Sequence, residues 1–130
     1  MPGYLGTHRP KLAEDSVMFK VFAYLTRRQG TTREEFIDYY ENHHVPLVLS
    51  LASMPRVYKR NYVVRAKVAD PRSPDIDFDV VTEMAWDDRA GFEEWMALPG
   101  VPAIAEDEAK FQDRSKTRVH LVDDRVSAAE

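Results

Sequence analysis

VMFKVFAYL, from Val17 to Leu25, decides the fold together with the turn Arg27-Arg28-Gln29-Gly30 and the segment Thr32-Arg33-Glu34-Glu35 beyond it. The first run is β-branched and aromatic and is bounded by Asp15-Ser16 on one side and the basic turn on the other, so it reads as a strand. Thr32 to Glu35 is a capping box, in which the Thr hydroxyl and the Glu carboxylate each satisfy an orphan amide, so a helix begins there.

Working outward, Phe36, Tyr40, His43 and Leu47 recur at helical spacing, and Glu34, Asp38 and Glu41 point elsewhere. Pro46 falls inside this pattern. It has no amide to donate and crowds the carbonyl of Asn42, so the helix is expected to kink or break near His43-His44-Val45. A second strand reads from about Val57 to Arg65, then comes a loop marked by Asp70, Pro71, Ser73 and Pro74, and a third strand runs from Phe78 to Trp86. Asp87 is the expected N-cap of a short helix carrying Phe92, Trp95 and Met96, closed by Pro99-Gly100. A further helix covers about Pro102 to Gln112, and Lys116 to Val122 makes the last strand.

The fold class implied is α+β: a ferredoxin-like βαββαβ unit with a four-stranded antiparallel sheet and one extra short helix. Helices cover one face of such a sheet, and a second copy stacked on the other face would remove its exposure, so a homodimer is expected. Residues 16–124 form the domain, 1–15 an amino-terminal arm and 125–130 a tail.

The 130 residues suit one domain, and 44% hydrophobic with 31% charged residues is a globular composition. A formal net charge of −4 with mixed signs offers no basic face for nucleic acid and no polybasic membrane anchor. The stretch Met1 to Asp15 carries His8, Arg9, Lys11, Glu14 and Asp15 without an apolar run, so neither a signal peptide nor a membrane span is expected. Without cysteine there is no disulfide, thiolate nucleophile or Cys-ligated metal, which fits the cytoplasm.

Three stretches resemble the EthD-like family of dimeric α+β barrel proteins. One is Arg27 to Phe36, similar to the family's basic turn leading into a helix. The second is Tyr40-Glu41-Asn42-His43-His44-Val45-Pro46-Leu47, similar to its aromatic residue, spacer and His-x-Pro-Leu signature, with Tyr40 where many members have Trp. The third is Ala105-Glu106-Asp107-Glu108-Ala109-Lys110-Phe111, similar to its Asp-Glu-x-x-Phe element. The resemblance spans about Met18 to Val122. It implies the barrel and its dimer; relatives of this barrel type act as cyclases, decarboxylases, dehydratases or cofactor-free oxygenases on aromatic and polyketide substrates, and family members are associated with ether degradation.

His44, the signature histidine, is the expected catalytic acid/base, because imidazole moves protons near neutrality without a cofactor. Its alternative is a histidine that only stabilises a helix end. Periodicity instead puts His43 inside, as a buried or interface histidine that also counts among the substrate contacts. Adjacent histidines on a helix diverge by about 100° and do not share one metal ion, and His8 and His120 complete no metal motif.

Strand alternation separates Phe22 and Tyr24 from Val21, Ala23 and Leu25, which turns the two aromatics toward the barrel interior. Tyr58, Arg60 and Tyr62 share a face of the second strand and offer aromatic walls with polar tips; core or dimer packing is the plainer reading. Tyr24 or Tyr62 is the expected donor to an oxyanion, and Phe22, Tyr40, Tyr58, Glu83 and Trp86 are the expected substrate contacts. Glu83, in the middle of an apolar strand, is otherwise a solvated or cation-paired carboxylate, and Trp86 and Trp95 are otherwise core anchors. Asp107 is expected to tie its helix to Arg114 or Arg118.

The leading expectation is a cofactor-independent cyclase, dehydratase or decarboxylase acting through His44 on an aromatic or polyketide-like molecule. The alternatives are an oxygenase of the same barrel type and a non-catalytic binding protein of a degradation pathway. No metal or nucleotide cofactor is expected, because no phosphate-cradling loop, dinucleotide fingerprint or nucleophile elbow is present.

Overall fold

The computed structural model describes residues 18–65 and 69–128. The arm expected over 1–15 lies outside them. In chain order the elements are β1 (Phe19–Leu25), α1 (Arg33–Tyr39), a π-helical turn (Tyr40–His44), α2 (Val45–Leu51), β2 (Val57–Tyr62), β3 (Val80–Trp86), α3 (Arg89–Met96), α4 (Val101–Glu108), a 3-10 turn (Arg114–Lys116) and β4 (Arg118–Val122). The four strands form one antiparallel sheet in the order β2-β3-β1-β4. This is the expected α+β ferredoxin-like fold. Among the described residues no helix is long and apolar enough to cross a membrane.

The capping box holds: Thr32 accepts from the Glu35 amide and the Glu35 carboxylate accepts from the Thr32 amide. Gly30 in the preceding turn sits at φ 89, a left-handed conformation that glycine adopts without strain. Asp88, not Asp87, caps α3. Its backbone is extended and its carboxylate accepts from the Gly91 amide at 2.8 Å, whereas Asp87 pairs with Arg56 on the surface. β2 stops at Tyr62, short of the expected Arg65, because the Arg65 side chain turns back to Asp75 and Asp79 to pin the loop between β2 and β3.

Pro46 does not break the helix but widens it. The amide of Val45 reaches back five residues to the Tyr40 carbonyl, and the chain resumes as α2. In a regular α-helix, positions four apart drift by about 40° per step. The wider turn cancels that drift, so Phe36, Tyr40, His44 and Val48 all fall on the buried face. The periodic assignment of His43 to the interior is thereby corrected: the extra residue rotates His43 outward, where it is exposed and stacks on Tyr39 at 5.0 Å.

Gly100 fixes α4 against α2. A Cβ there would stand 2.6 Å from the Cβ and carbonyl oxygen of Leu51, too close for any other residue. The core under the helices has two parts. One joins Val21, Val48, Trp86, Trp95 and Ile104; the other joins Leu25, Phe36, Tyr40, Val80 and Phe111.

Candidate functional site

Helices cover the sheet face that carries Val21, Ala23, Leu25, Tyr58, Thr82 and Met84, and a cavity of about 330 Å³ lies between that face and the helices. The volume is within the range of small-molecule sites. His44 lines it midway along β1, next to Tyr40 and Thr82. At one end stand Trp86, Trp95 and Phe92; at the other stand Glu108, Gln112, Arg114 and Thr117.

The His44 imidazole is 3% exposed and donates through Nδ1 to Asp107 Oδ2 at 2.8 Å. Tyr39 donates to the other Asp107 oxygen at 2.8 Å, and Lys110 lies 3.6 Å from that same oxygen. Burial alone pushes the Asp107 carboxyl up. The hydrogen bonds from His44 and Tyr39 and the charges of His44 and Lys110 outweigh it, so the group sits below the usual carboxylate range and is ionised at neutral pH. An ionised carboxylate only accepts, which puts the His44 proton on Nδ1 and leaves a lone pair on Nε2. Burial also lowers the His44 pKa, and the hydrogen bond and charge of Asp107 only partly offset this. The result is a neutral imidazole with one nitrogen anchored, the arrangement that orients a general base.

Two motifs far apart in sequence build this pair. The π turn that Pro46 imposes delivers His44, and α4 delivers Asp107 while Phe111, just beyond it, packs on the His44 ring at 4.9 Å and on Tyr40 at 5.1 Å. The expected link from Asp107 to Arg114 or Arg118 is corrected: α4 lies against the π turn, which aims Asp107 at His44. Arg114 is 3.7 Å from Glu108, and Arg118 pairs with Asp77.

Of the other sequence candidates, Tyr40, Tyr58 and Trp86 line the cavity beside His44. The Tyr40 hydroxyl shares a 2.6 Å hydrogen bond with Thr82. Burial pushes the Tyr58 hydroxyl up to about 12, so it stays protonated as a donor. Tyr62 is on the same sheet face but donates to Glu41, which also holds Arg60 through two hydrogen bonds of 2.6 and 2.9 Å. That cluster ties β2 to the π turn and leaves Tyr62 outside the cavity lining. Tyr24, Phe22 and Glu83 do not join His44, because the pleat that puts Ala23 and Thr82 in the cavity puts them on the opposite face. Tyr24 packs on Phe78 and His120 there, and Glu83 pairs with Lys20 at 2.8 Å.

The residues that sequence reasoning missed are Thr82, Gln112 and Thr117, along with the role of Asp107 as partner of His44. The Asp-Glu-x-x-Phe element was visible, but its pairing across 63 residues with the histidine signature carries no local signal.

The EthD domain family matches residues 28–115. A comparison with curated proteins finds no match. Among solved structures, an ethyl tert-butyl ether D (EthD) family protein from Bacillus halodurans is similar at 21% identity and TM-score 0.65, covering 84% of this chain and all of that one. SnoaB of Streptomyces nogalater, a cofactor-independent oxygenase, is similar at 15% identity and TM-score 0.53, covering 87% of this chain and 98% of its own. A dimeric protein of unknown function with a ferredoxin-like fold from Bacteroides fragilis is similar at 14% identity and TM-score 0.51, covering 81% and 92%. The matched span runs from the turn before α1 to the segment beyond α4 and contains both members of the His44–Asp107 pair, and on that match the chain belongs to the EthD family.

Proposed function

We propose that this chain is a cofactor-independent enzyme that binds an aromatic or polyketide-like small molecule in the cavity under the helices and moves a proton with His44. The observation that carries the reading is the buried imidazole, anchored at Nδ1 by an ionised Asp107 and lining an aromatic cavity. His44 Nε2 takes a proton from an enolisable carbon or a phenol, and the protonated ring is stabilised by the Asp107 charge until the proton returns. Tyr58 and the Tyr40–Thr82 pair supply neutral hydroxyls near the developing oxyanion. Cyclisation, dehydration and decarboxylation all require this proton handling.

A second reading is favoured by the fold likeness to SnoaB, a cofactor-independent oxygenase. There the same base would ionise the substrate, and the electron-rich anion itself would react with dioxygen. Oxygen consumption with a phenolic substrate separates the two readings.

We further propose a homodimer through the uncovered sheet face, where Phe22, Tyr24 and Phe78 form a half-buried aromatic group. The dimeric Bacteroides fragilis protein of the same fold supports it.

Proton transfer is tested without knowing the natural substrate. Deuterium exchange at the carbon between the ring and the carbonyl of 2-tetralone, followed by NMR in heavy water, is accelerated by the protein and not by His44→Ala. Equal exchange with both proteins would remove the proposal, and tight binding of 2-tetralone without any exchange would favour a non-catalytic binding protein.

A further inference from the structure

We propose that Glu108 is a second catalytic residue of the cavity: it gives a proton to the carbonyl oxygen of an enolisable ketone while His44 takes one from the neighbouring carbon. The inference rests on the reading of His44 as a base, and it names the acid that works with that base.

Two adjacent carboxyls close α4, and the chain treats them in opposite ways. Asp107 is fully engaged: His44 and Tyr39 each contact it at 2.8 Å, and Lys110 stands 3.6 Å away. Among the described residues, the only charge that reaches the Glu108 carboxyl is Arg114, at 3.7 Å and beyond hydrogen-bonding distance. Glu108 lines the cavity, and its side chain keeps 32% of its surface open. Glu106, on the same helix, is exposed and takes no part in the lining.

The backbone seats Glu108 firmly, since the amides of Phe111 and Gln112 both bond its carbonyl, at 3.2 and 2.9 Å. Its charge acts on the hydroxyl of Tyr58, which rises from β2 on the sheet side of the same cavity. The Tyr58 hydroxyl lies beside that of Tyr40, whose ring meets the His44 ring at 5.5 Å. His44, Tyr40, Tyr58 and Glu108 thus follow one another along a cavity of about 330 Å³, which one small molecule fills.

The surroundings decide which carboxyl carries a proton. Burial favours the uncharged form of Glu108 and the Asp107 charge adds to this, while the Arg114 charge opposes both. The last turn of α4 is also the negative end of its dipole, which disfavours a second carboxylate. The pKa of Glu108 is raised as a result, whereas Asp107 is held ionised. His44 from the π turn and Tyr58 from β2 face the group as neutral neighbours. Carboxyls whose environments push their pKa values apart take different parts in acid–base chemistry. Tyr58, pushed up to about 12, hydrogen-bonds a ligand oxygen without releasing its proton near neutrality.

The step balances within the cavity. His44 Nε2 takes the proton, the C–H electron pair becomes the C=C bond, the carbonyl π pair moves onto oxygen, and Glu108 gives that oxygen its proton. The products are a neutral enol, an imidazolium held by Asp107 and a Glu108 carboxylate; the reverse step restores both groups.

The test follows 2-tetralone exchange across pH, over the protein-free background, in wild type, Glu108→Gln, Glu108→Asp and Arg114→Gln. Wild type is expected to show an alkaline limb where Glu108 loses its proton. Glu108→Gln slows exchange by at least about tenfold at the wild-type optimum and lacks that limb. Its affinity for 2-tetralone, read from tryptophan quenching, stays within about twofold of wild type. Glu108→Asp keeps an alkaline limb at reduced rate. Arg114→Gln keeps the limb and moves it to higher pH, because the charge that lowers the Glu108 pKa is gone. Wild-type exchange by Glu108→Gln, an alkaline limb that survives in it, or an equal loss in Arg114→Gln, which marks Glu108 as an ion-pair partner alone, would overturn the inference. Full exchange by His44→Ala sinks the base reading and this inference together. Full exchange by Glu108→Gln with none by His44→Ala sinks this one alone.

Discussion

The two faces of the sheet differ in how they treat polar groups. On the uncovered face Lys20 is held by Glu83 at 2.8 Å and Asp124 at 3.1 Å, and Arg118 is held by Asp77 at 2.9 Å, so the named charges there answer one another. On the covered face Trp86, Gln112 and Thr117 keep unpaired atoms, and His44 keeps a free ring nitrogen. An unpaired buried group costs about 1–3 kcal/mol. The covered face also holds satisfied pairs, Tyr40 with Thr82 and Arg60 with Glu41, so the contrast lies in the few buried atoms left open there. On the proposed function the face that no described helix covers packs against a second copy, and the helix-covered face takes the ligand.

The comparison is broken most sharply by one substitution on each face. His44→Ala is expected to slow 2-tetralone exchange by about 10³, within the usual contribution of a positioned base. Tyr24→Phe, on the opposite face, is expected to leave the rate within about twofold. A larger loss in Tyr24→Phe than in His44→Ala would reverse the assignment of the faces.

Asp107→Asn comes next. It keeps a side chain of the same shape but removes the charge that fixes the imidazole tautomer, and the exchange rate should fall by on the order of 10², less than with His44→Ala. Because Asp107 raises the His44 pKa against the opposing effect of burial, the acid limb of the pH–rate profile also moves to lower pH in this variant. A limb that moves upward would contradict the account.

Phe22→Asp sharpens the other half of the comparison. It sets a carboxylate opposite Glu83 in the register of that face, and the dissociation constant of the proposed dimer, measured by sedimentation, should rise by at least about tenfold. Tryptophan emission stays the same, since both indoles lie under the helices. An unchanged dimer would place the interface elsewhere.

Much of this was legible in the residues. The capping box located α1, strand alternation divided Phe22 and Tyr24 from Ala23 correctly, and the order of elements gave the sheet. The histidine signature chose His44 where periodicity chose His43, because a 3.6-residue repeat does not foresee a π turn. Joining Tyr24 to His44 failed for a different reason. Val21, Ala23 and Leu25 suit packing under the helices and do pack there, but His44 was expected to reach the opposite face with Phe22 and Tyr24, and the π turn seats it over the aliphatic set instead. The His44–Asp107 pair is a long-range product of α4 seating against α2 at Gly100, and no local pattern encodes it.

The proposed proton transfer depends on the protonation and position of one imidazole, and nitrogen-15 NMR of the histidine rings across pH reads both. It predicts that His44 at neutral pH carries its proton on Nδ1, with Nε2 bare, and that the ring titrates below its ordinary value of 6.5. The unfolded chain then takes up the proton first as pH falls, so stability present above 6.5 is lost as pH drops through the folded value. A proton on Nε2 at neutral pH, or a midpoint above 6.5, would contradict the central claim.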